Sequence, residues 1–269
     1  MKKLFFSLAL FIPGFAFAQL ADSTQRLVHV QGAVNFRDIG GYKTTTGKTV
    51  AWGKIFRSAD VSKLTNADLD TVAGRNIHTV YDFRGVAEAA AAPDRLPQNT
   101  QYQLCPQGSD SIPNAAQMAQ ILKEGNFLEK FYGNVAPLGE RYKPLFQTLL
   151  AMPKDEAVMY HCTGGRDRTG IATALILYAL QVPQSTIEAD YTASNVYLEK
   201  MNTRMFKGLQ QFTNMSEAEV KEAMELKPKY IQLTFAELTK KYGSLEKFFE
   251  KELGVGPKEL KTLRAKYTL

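Results

Sequence analysis

The sequence predicts an α/β domain, and three observations carry that reading. Short apolar or alternating runs recur at residues 27–30, 77–83, 102–105 and 157–160, with the length and residue types of strands. Helix-period stretches fall between them at 65–74, 115–132 and 139–151, and such alternation is the pattern of a sheet flanked by helices. Beyond residue 184 the pattern is helical to the end, which adds an all-helical C-terminal part over about 184–269.

Taken in order, residues 1–18 open with Met1, Lys2 and Lys3, continue as a largely apolar run and end on Ala16-Phe17-Ala18. A basic start, an apolar stretch and small residues at Ala16 and Ala18 are the marks of a secretory signal peptide cleaved after Ala18. The run is shorter than the roughly 20 residues a bilayer span requires, and Pro13-Gly14 interrupts it. Residues 19–269 are therefore expected to be exported, periplasmic or secreted, with no stable membrane insertion after cleavage. They show no internal repeat and no Ser/Gly-rich linker, so one domain is expected. Thr45-Thr46-Gly47-Lys48 reads as a hairpin turn. Thr65, with Asp68 three residues on, caps a helix. The run 171–180 is nearly all apolar and is expected to be the buried central helix. Ser216 and Glu219 form a capping box, Gly243 stops one helix and Ser244 starts the next.

Composition excludes whole classes. Hydrophobic residues at 45% and charged residues at 22% fit a globular chain, not a disordered or fibrous one. The formal charge is +6, falling to +4 without Lys2 and Lys3, and the basic residues alternate with Glu. Nucleic acid is thus not an expected partner, and the basic side chains of the C-terminal part are expected on solvated faces. Two cysteines, Cys105 and Cys162, cannot build a disulfide framework.

Chemistry concentrates in His161-Cys162-Thr163-Gly164-Gly165-Arg166-Asp167-Arg168-Thr169-Gly170, between a short strand and the apolar helix. The N-terminus of that helix offers unpaired N–H groups and the positive end of its dipole to the loop. Gly164 and Gly165 are expected to take positive φ and let the loop N–H groups converge on an anion. Thr163, Gly164, Gly165, Arg166, Asp167 and Arg168 are accordingly candidate substrate-binding residues, with phosphate as the natural guest. The C-x5-R spacing of Cys162 and Arg168 lets the loop curl around one tetrahedral anion, which the Arg168 fork can hold on two oxygens. Near that charge and those dipoles the Cys162 thiol should lie well below about 8.5, making it a thiolate nucleophile. The Thr169 hydroxyl can then assist departure of the sulfur from a phosphocysteine. This chemistry calls for no metal and no cofactor.

With these residues in view, the chain resembles the bacterial tyrosine-protein phosphatases whose loop reads HCxxGKDR[ST]G, within the cysteine-dependent phosphatase superfamily. Asn35-Phe36-Arg37-Asp38-Ile39-Gly40-Gly41-Tyr42 resembles the opening motif of that family. Phe56-Arg57-Ser58-Ala59-Asp60 with Leu64-Thr65 is similar to its second motif, and Asp82-Phe83-Arg84 with Glu88 and Pro93-Asp94 to its third. Tyr242-Gly243-Ser244-Leu245 through Leu263-Arg264 resembles its helical end. The resemblance implies a cysteine-phosphatase fold, a central mixed sheet flanked by helices, and hydrolysis of phosphate monoesters on protein tyrosine. It also implies an alternative substrate class, phosphoinositides or inositol phosphates. Arg166 stands where the family usually has Lys, and this extra cation could meet a second phosphate.

A tyrosine leaving group, with a pKa of about 10, calls for a general acid. Three residues compete. Asp110 follows a strand on a Gly/Ser/Pro-rich loop, where the superfamily carries its mobile acid. Asp167 lies in the phosphate loop, and Asp82 ends a strand, with a structural alternative in which Asp82, Arg84, Arg37, Asp38 and Arg57 form an ion-pair network. His161 reads as a loop brace, and His29 and His78 as ordinary strand residues. Cys105, ending a strand at the same sheet edge as Cys162, is either packing or a resolving thiol. Rival readings are a phosphoryl-binding protein without turnover and a thiolate sulfurtransferase or arsenate reductase.

Overall fold

The computed structural model describes residues 23–109, 117, 120–122, 124–211 and 213–269. The expected leader with its cleavage point after Ala18, and Asp110, lie outside them. Among the described residues five strands form one mixed sheet, β1 (Arg37–Asp38), β2 (Ile55–Ser58), β3 (Ile77–Asp82), β4 (Gln101–Leu104) and β5 (Ala157–His161). Their order is β1-β2-β5-β3-β4, with β1 antiparallel to β2 and the other pairs parallel. Ser58 and Asp82 both pair with His161, so the chain leaves β5 at the middle of the carboxyl edge, where ligands of parallel sheets collect.

The helices are α1 (Ser23–Arg26), α2 (Asn66–Ala73), α3 (Val86–Ala91), α4 (Phe127–Gly133), α5 (Leu138–Ala151), α6 (Arg168–Ala179) and α7 (Gln184–Tyr197), then α8 (Glu199–Gln210), α9 (Glu217–Met224), α10 (Pro228–Tyr242), α11 (Leu245–Phe248) and α12 (Pro257–Tyr267), with a π-helical turn at Phe249–Leu253. Strand alternation assigns the layers. Val158 and Tyr160 of β5 join the larger core with α5, α6 and the C-terminal helices. Ala157 and Met159 point the other way, into a smaller core with Val72 and Leu64. Cys162 continues the first series and belongs to the larger core. Ten of the twelve α6 residues are buried, as a helix apolar all round requires.

Most caps are as expected. Thr65 and Asp68 exchange capping bonds, Ser216 and Glu219 do the same, and Gly243 closes α10 at φ +89°. Residues 44–48 form the turn, with Thr44 N–H bonded to Lys48 O at 2.9 Å. Two expectations fail. Residues 27–30 are not a strand, and exposed His29 is not a strand residue: beyond the Leu27–Arg37 bridge the segment leaves the ladder. The next two N–H groups, of Gln31 and Gly32, go to the Asp68 carboxylate instead. The expected helix at 115–132 is interrupted at Glu124-Gly125-Asn126, where Gly125 takes φ +71°, and restarts at Phe127.

The expected ion-pair network divides in two. Arg84 gathers Asp60, Asp82 and Asp94. Arg37 and Arg57 go instead to Asp190 of α7, at 3.2 and 2.8 Å, which also accepts the Tyr42 hydroxyl at 2.9 Å. Asp38 has no part in either; it accepts the Gly40 and Gly53 N–H groups. Burial alone would raise the Asp190 carboxyl, but the two guanidinium groups hold it far below the usual range. Replacing Asp190 by Asn leaves two buried cations without a counter-charge, and the expected loss is about 3–5 kcal/mol of stability. Urea denaturation at neutral pH measures it; a loss below about 1 kcal/mol would show that the arginines find other partners.

Candidate active site

Cys162 follows β5 directly, and α6 begins at Arg168, so the loop between them spans the gap from sheet edge to helix N-terminus. Gly165 has φ +58°, and a Cβ there would stand 2.2 Å from the Ser58 carbonyl oxygen. Only glycine fits. Gly164 departs from expectation: its φ is not positive, and its nearest neighbours to an added Cβ are 3.6 Å away. The loop is fastened from beneath by its carbonyls. Asn35 Nδ2 donates to Gly164 O at 3.2 Å and Gly165 O at 2.8 Å, and Arg57 Nη2 donates to Gly165 O at 2.7 Å. In a trans peptide the following N–H points the opposite way, so these bonds turn the Gly165 and Arg166 N–H groups away from Asn35 and Arg57.

The Cys162 thiol is buried, which by itself raises its pKa. The Arg168 charge and the hydroxyl and N–H of Thr169 outweigh burial and bring it below the ordinary thiol value. Among the described residues no other group partners Thr169 Oγ1. Arg168 is held by Glu88 of α3 in a fork, at 2.6 and 3.0 Å, and also donates to Phe83 O at 3.2 Å. Glu88 accepts the Thr163 hydroxyl as well. Burial opposes its charge, yet Arg168 keeps its carboxyl below the usual range. The sequence names Glu88 only within a family motif; Gly85-x-x-Glu88 is a legible helix-start signal, but nothing local shows it reaching residue 168.

Arg166 and Asp167 are turned on each other. Arg166 Nε donates to Asp167 Oδ2 at 3.0 Å and Nη1 to Met224 O at 3.0 Å, leaving the Arg166 side chain 7% exposed. Asp167 also accepts the Tyr132 hydroxyl at 2.8 Å. Asp82 is fully buried, with its oxygens taken by Arg84 and the Tyr102 hydroxyl. Asp110 lies outside the described residues, but the chain leading to it is clamped. Arg141 Nε donates to Gln107 O at 2.8 Å, Ser109 Oγ donates to Phe83 O at 3.0 Å, and Gly108 takes φ +66° against Pro137 and Arg141. Arg141 is a second residue that sequence reasoning missed.

His161 braces the end of β5 as expected, with Nε2 2.8 Å from Asp94; burial opposes its charge, but Asp94 and Asp82 raise its pKa. Ligand atoms of Asp82, Asp94 and His161 lie within 4.8 Å of one another, a metal-sized group. Arg84 already pairs with both carboxylates at 2.8 and 2.6 Å, so a cation is in place there. The structure favours packing for Cys105 over a resolving thiol: both cysteines are free and buried, each follows the last residue of its strand, and β3 stands between those strands. Two strand spacings put Leu104 and His161 about 10 Å apart, beyond the roughly 7 Å a disulfide spans. Burial and the Asp82 charge push the Cys105 thiol up to about 11.

Over the loop opens a cleft of about 520 Å³, with Cys162, Thr163, Gly164 and Arg168 at its floor and Phe127, Phe131, Met201, Met205 and Met224 along its walls. A glycine-bearing strand-to-helix loop under a largely apolar cleft, at the carboxyl edge of the parallel strands, is the arrangement in which α/β proteins hold anionic ligands. A family model described as "Tyrosine phosphatase family" matches residues 28–269, and the chain belongs to that family of phosphatases. It is similar to a tyrosine-protein phosphatase of Nostoc commune, 32% identical over 53% of this chain and 49% of the relative, so the match spans about half the length of that relative. It is also similar to a protein of Cupriavidus necator bearing a tyrosine-protein phosphatase name, 25% identical over 84% of each chain. A third relative is the triple specificity protein phosphatase PtpB of Mycobacterium tuberculosis, 26% identical over 67% of this chain and 73% of the relative.

The two glycines should part on substitution. Gly165→Ala is expected to lose orthovanadate binding and to melt lower, whereas Gly164→Ala keeps both close to wild type; calorimetry and vanadate titration compare them. Iodoacetate alkylation of Cys162 should show its inflection below the ordinary thiol value and slow as pH falls through it. Thr169→Val should move that inflection upward.

Proposed function

We propose that this chain is an exported, metal-independent phosphatase that hydrolyses phosphotyrosine in proteins through a phosphocysteine. One observation carries the reading: a cysteine with a depressed pKa at the floor of an anion cradle, beside an arginine fixed by Glu88. The Cys162 thiolate attacks phosphorus, the S–P bond forms as the aryl O–P bond breaks, and Arg168 with the loop N–H groups takes up the charge on the equatorial oxygens. The departing phenolate receives a proton from a carboxylic acid. Water then attacks phosphorus and gives a proton back to that carboxylate, the S–P bond breaks, and Thr169 stabilises the returning thiolate.

Asp110 is the better acid of the remaining two. Asp167 is paired with Arg166 and accepts the Tyr132 hydroxyl, contacts that favour its ionised form over the protonated acid, whereas Gly108 and Ser109, which precede Asp110 in sequence, line the cleft. The apolar walls suit a flat aromatic ring next to the phosphate. The engagement of Arg166 with Asp167 and Met224 favours a single phosphate over an inositol bearing several. A phosphoryl-binding protein without turnover would lack the nucleophile, arginine or hydroxyl, and Cys162, Arg168 and Thr169 are all present. Export rests on the leader alone; N-terminal sequencing of the protein from its own host should begin at Gln19. Among the described residues no helix is long and apolar enough to cross a membrane.

Phosphate release from an aryl phosphate should persist with chelator present; loss on chelation and recovery with a divalent metal would replace this mechanism by a metal-assisted one. Cys162→Ser should abolish turnover while keeping vanadate or phosphate bound, and Arg168→Lys should lower kcat by about a hundredfold or more. In a leaving-group series, Asp110→Asn should slow basic leaving groups far more than acidic ones, and the same steepening in Asp167→Asn instead would move the acid into the loop. A rate optimum at mildly acidic pH is expected, since the thiolate must persist while the acid keeps its proton. Comparison of phosphotyrosine and phosphoserine peptides with phosphoinositides and inositol phosphates decides the substrate class.

A further inference from the structure

Helix α8 divides its surface between two tasks. Met201, Asn202 and Met205 line the catalytic cleft, and Phe206 packs with Leu122, Val220 and Met224. The opposite arc carries Lys200, Arg204 and Lys207, all exposed, at the i, i+4, i+7 spacing that puts them on one stripe. Among the described residues none of the three has a carboxylate partner, whereas Lys130, Lys227 and Lys229 elsewhere pair with Glu124, Glu222 and Glu129. At 100° per residue the basic arc runs up to the half-buried Met201 and Met205, which form its seam with the cleft.

We infer that this stripe docks phosphorylated peptide segments carrying acidic residues beside the phosphorylated one. The inference rests on the phosphatase reading and narrows its substrate class. A phosphate seated against Cys162 places the flanking chain over Met201 and Met205, and the next surface it meets is the basic arc. Along the helix Lys200 and Arg204 stand about 6 Å apart, close to the roughly 6.6 Å between same-side residues of an extended peptide, and Arg204 and Lys207 about 4.5 Å, a gap that their long flexible side chains can widen. Acidic side chains at alternate positions can therefore meet successive cations. A lipid surface fits less well, because a helix that lies on a membrane needs a free apolar face, and the apolar face of α8 is already used by the cleft and by α9.

The test compares two phosphotyrosine peptides, one with acidic flanks and one with neutral flanks, on wild type and on K200Q/R204Q/K207Q, a variant that keeps helix-forming residues throughout. In wild type the acidic peptide should have a KM about tenfold lower, and the advantage should fade with added salt. In the variant the two KM values should converge, with kcat and the turnover of a small aryl phosphate unchanged. Equal KM values in wild type, or undiminished discrimination in the variant, would overturn the docking role. So would binding to phosphatidylserine vesicles that the variant loses while peptide discrimination is absent. Anisotropy titration of the same peptides onto Cys162→Ser reads docking without turnover; a preference there with no hydrolysis by wild type would count against the phosphatase reading and not against the stripe.

Discussion

Asp190 holds two buried arginines, and the shape of the phosphate loop depends on that arrangement. Arg37 comes from β1, Arg57 from β2 and Asp190 from α7, so one carboxylate joins the antiparallel edge of the sheet to a helix of the C-terminal part. Arg57 then extends from Asp190 to the Gly165 carbonyl. Two guanidinium groups at such depth repel one another, and Arg37 lowers the pKa of Arg57 together with burial. A buried triad of this kind is not a source of net stability compared with an apolar core; its effect is to hold a glycine peptide in a position that no apolar contact would define.

The sulfur is under two opposed influences, and their balance decides its reactivity. Burial in the larger core disfavours a thiolate, while the helix start, the Thr169 dipoles and Arg168 favour it. The second set prevails only because Arg168 is held in place. Glu88 holds it, and Glu88 is itself set by the first turn of α3, where it caps Gly85. Elsewhere at the sheet edge Arg84 compensates Asp60, Asp82 and Asp94, and the carboxylate that does raise the thiol pKa is Asp167, whose effect is outweighed by Arg168 and Thr169.

The C-terminal helices build the cleft as well as cover the sheet. Tyr230 of α10 stacks on Tyr132 at 5.3 Å between ring centres, and Thr234 donates to the Tyr132 carbonyl, fixing the tyrosine whose hydroxyl reaches Asp167. At the chain end Thr49 and Leu269 exchange backbone bonds and Ala51 N–H donates to Tyr267 O, which ties the last residues to the segment after the 44–48 turn. Residues from α8 and α9 supply the methionine wall, so part of the cleft over the loop is built by helices far in sequence from the sheet's first strands.

Local patterns in the sequence determined the class, the central strands, the capped helices and the phosphate loop, because period, cap spacing and a Gly-rich strand-to-helix turn each act over a few neighbouring residues. The family motifs marked Arg37, Arg57 and Glu88 as positions without their partners. Tertiary structure alone decided that Arg57 binds Asp190, more than a hundred residues away, that Glu88 holds Arg168, and that Arg141 clamps the chain before residue 110. It also decided that Arg166 folds onto Asp167 and Met224, and that β3 separates Cys105 from Cys162. These are partner choices among buried charges and neighbours across a sheet. They depend on which elements the packed core brings together, and no spacing along the chain encodes that.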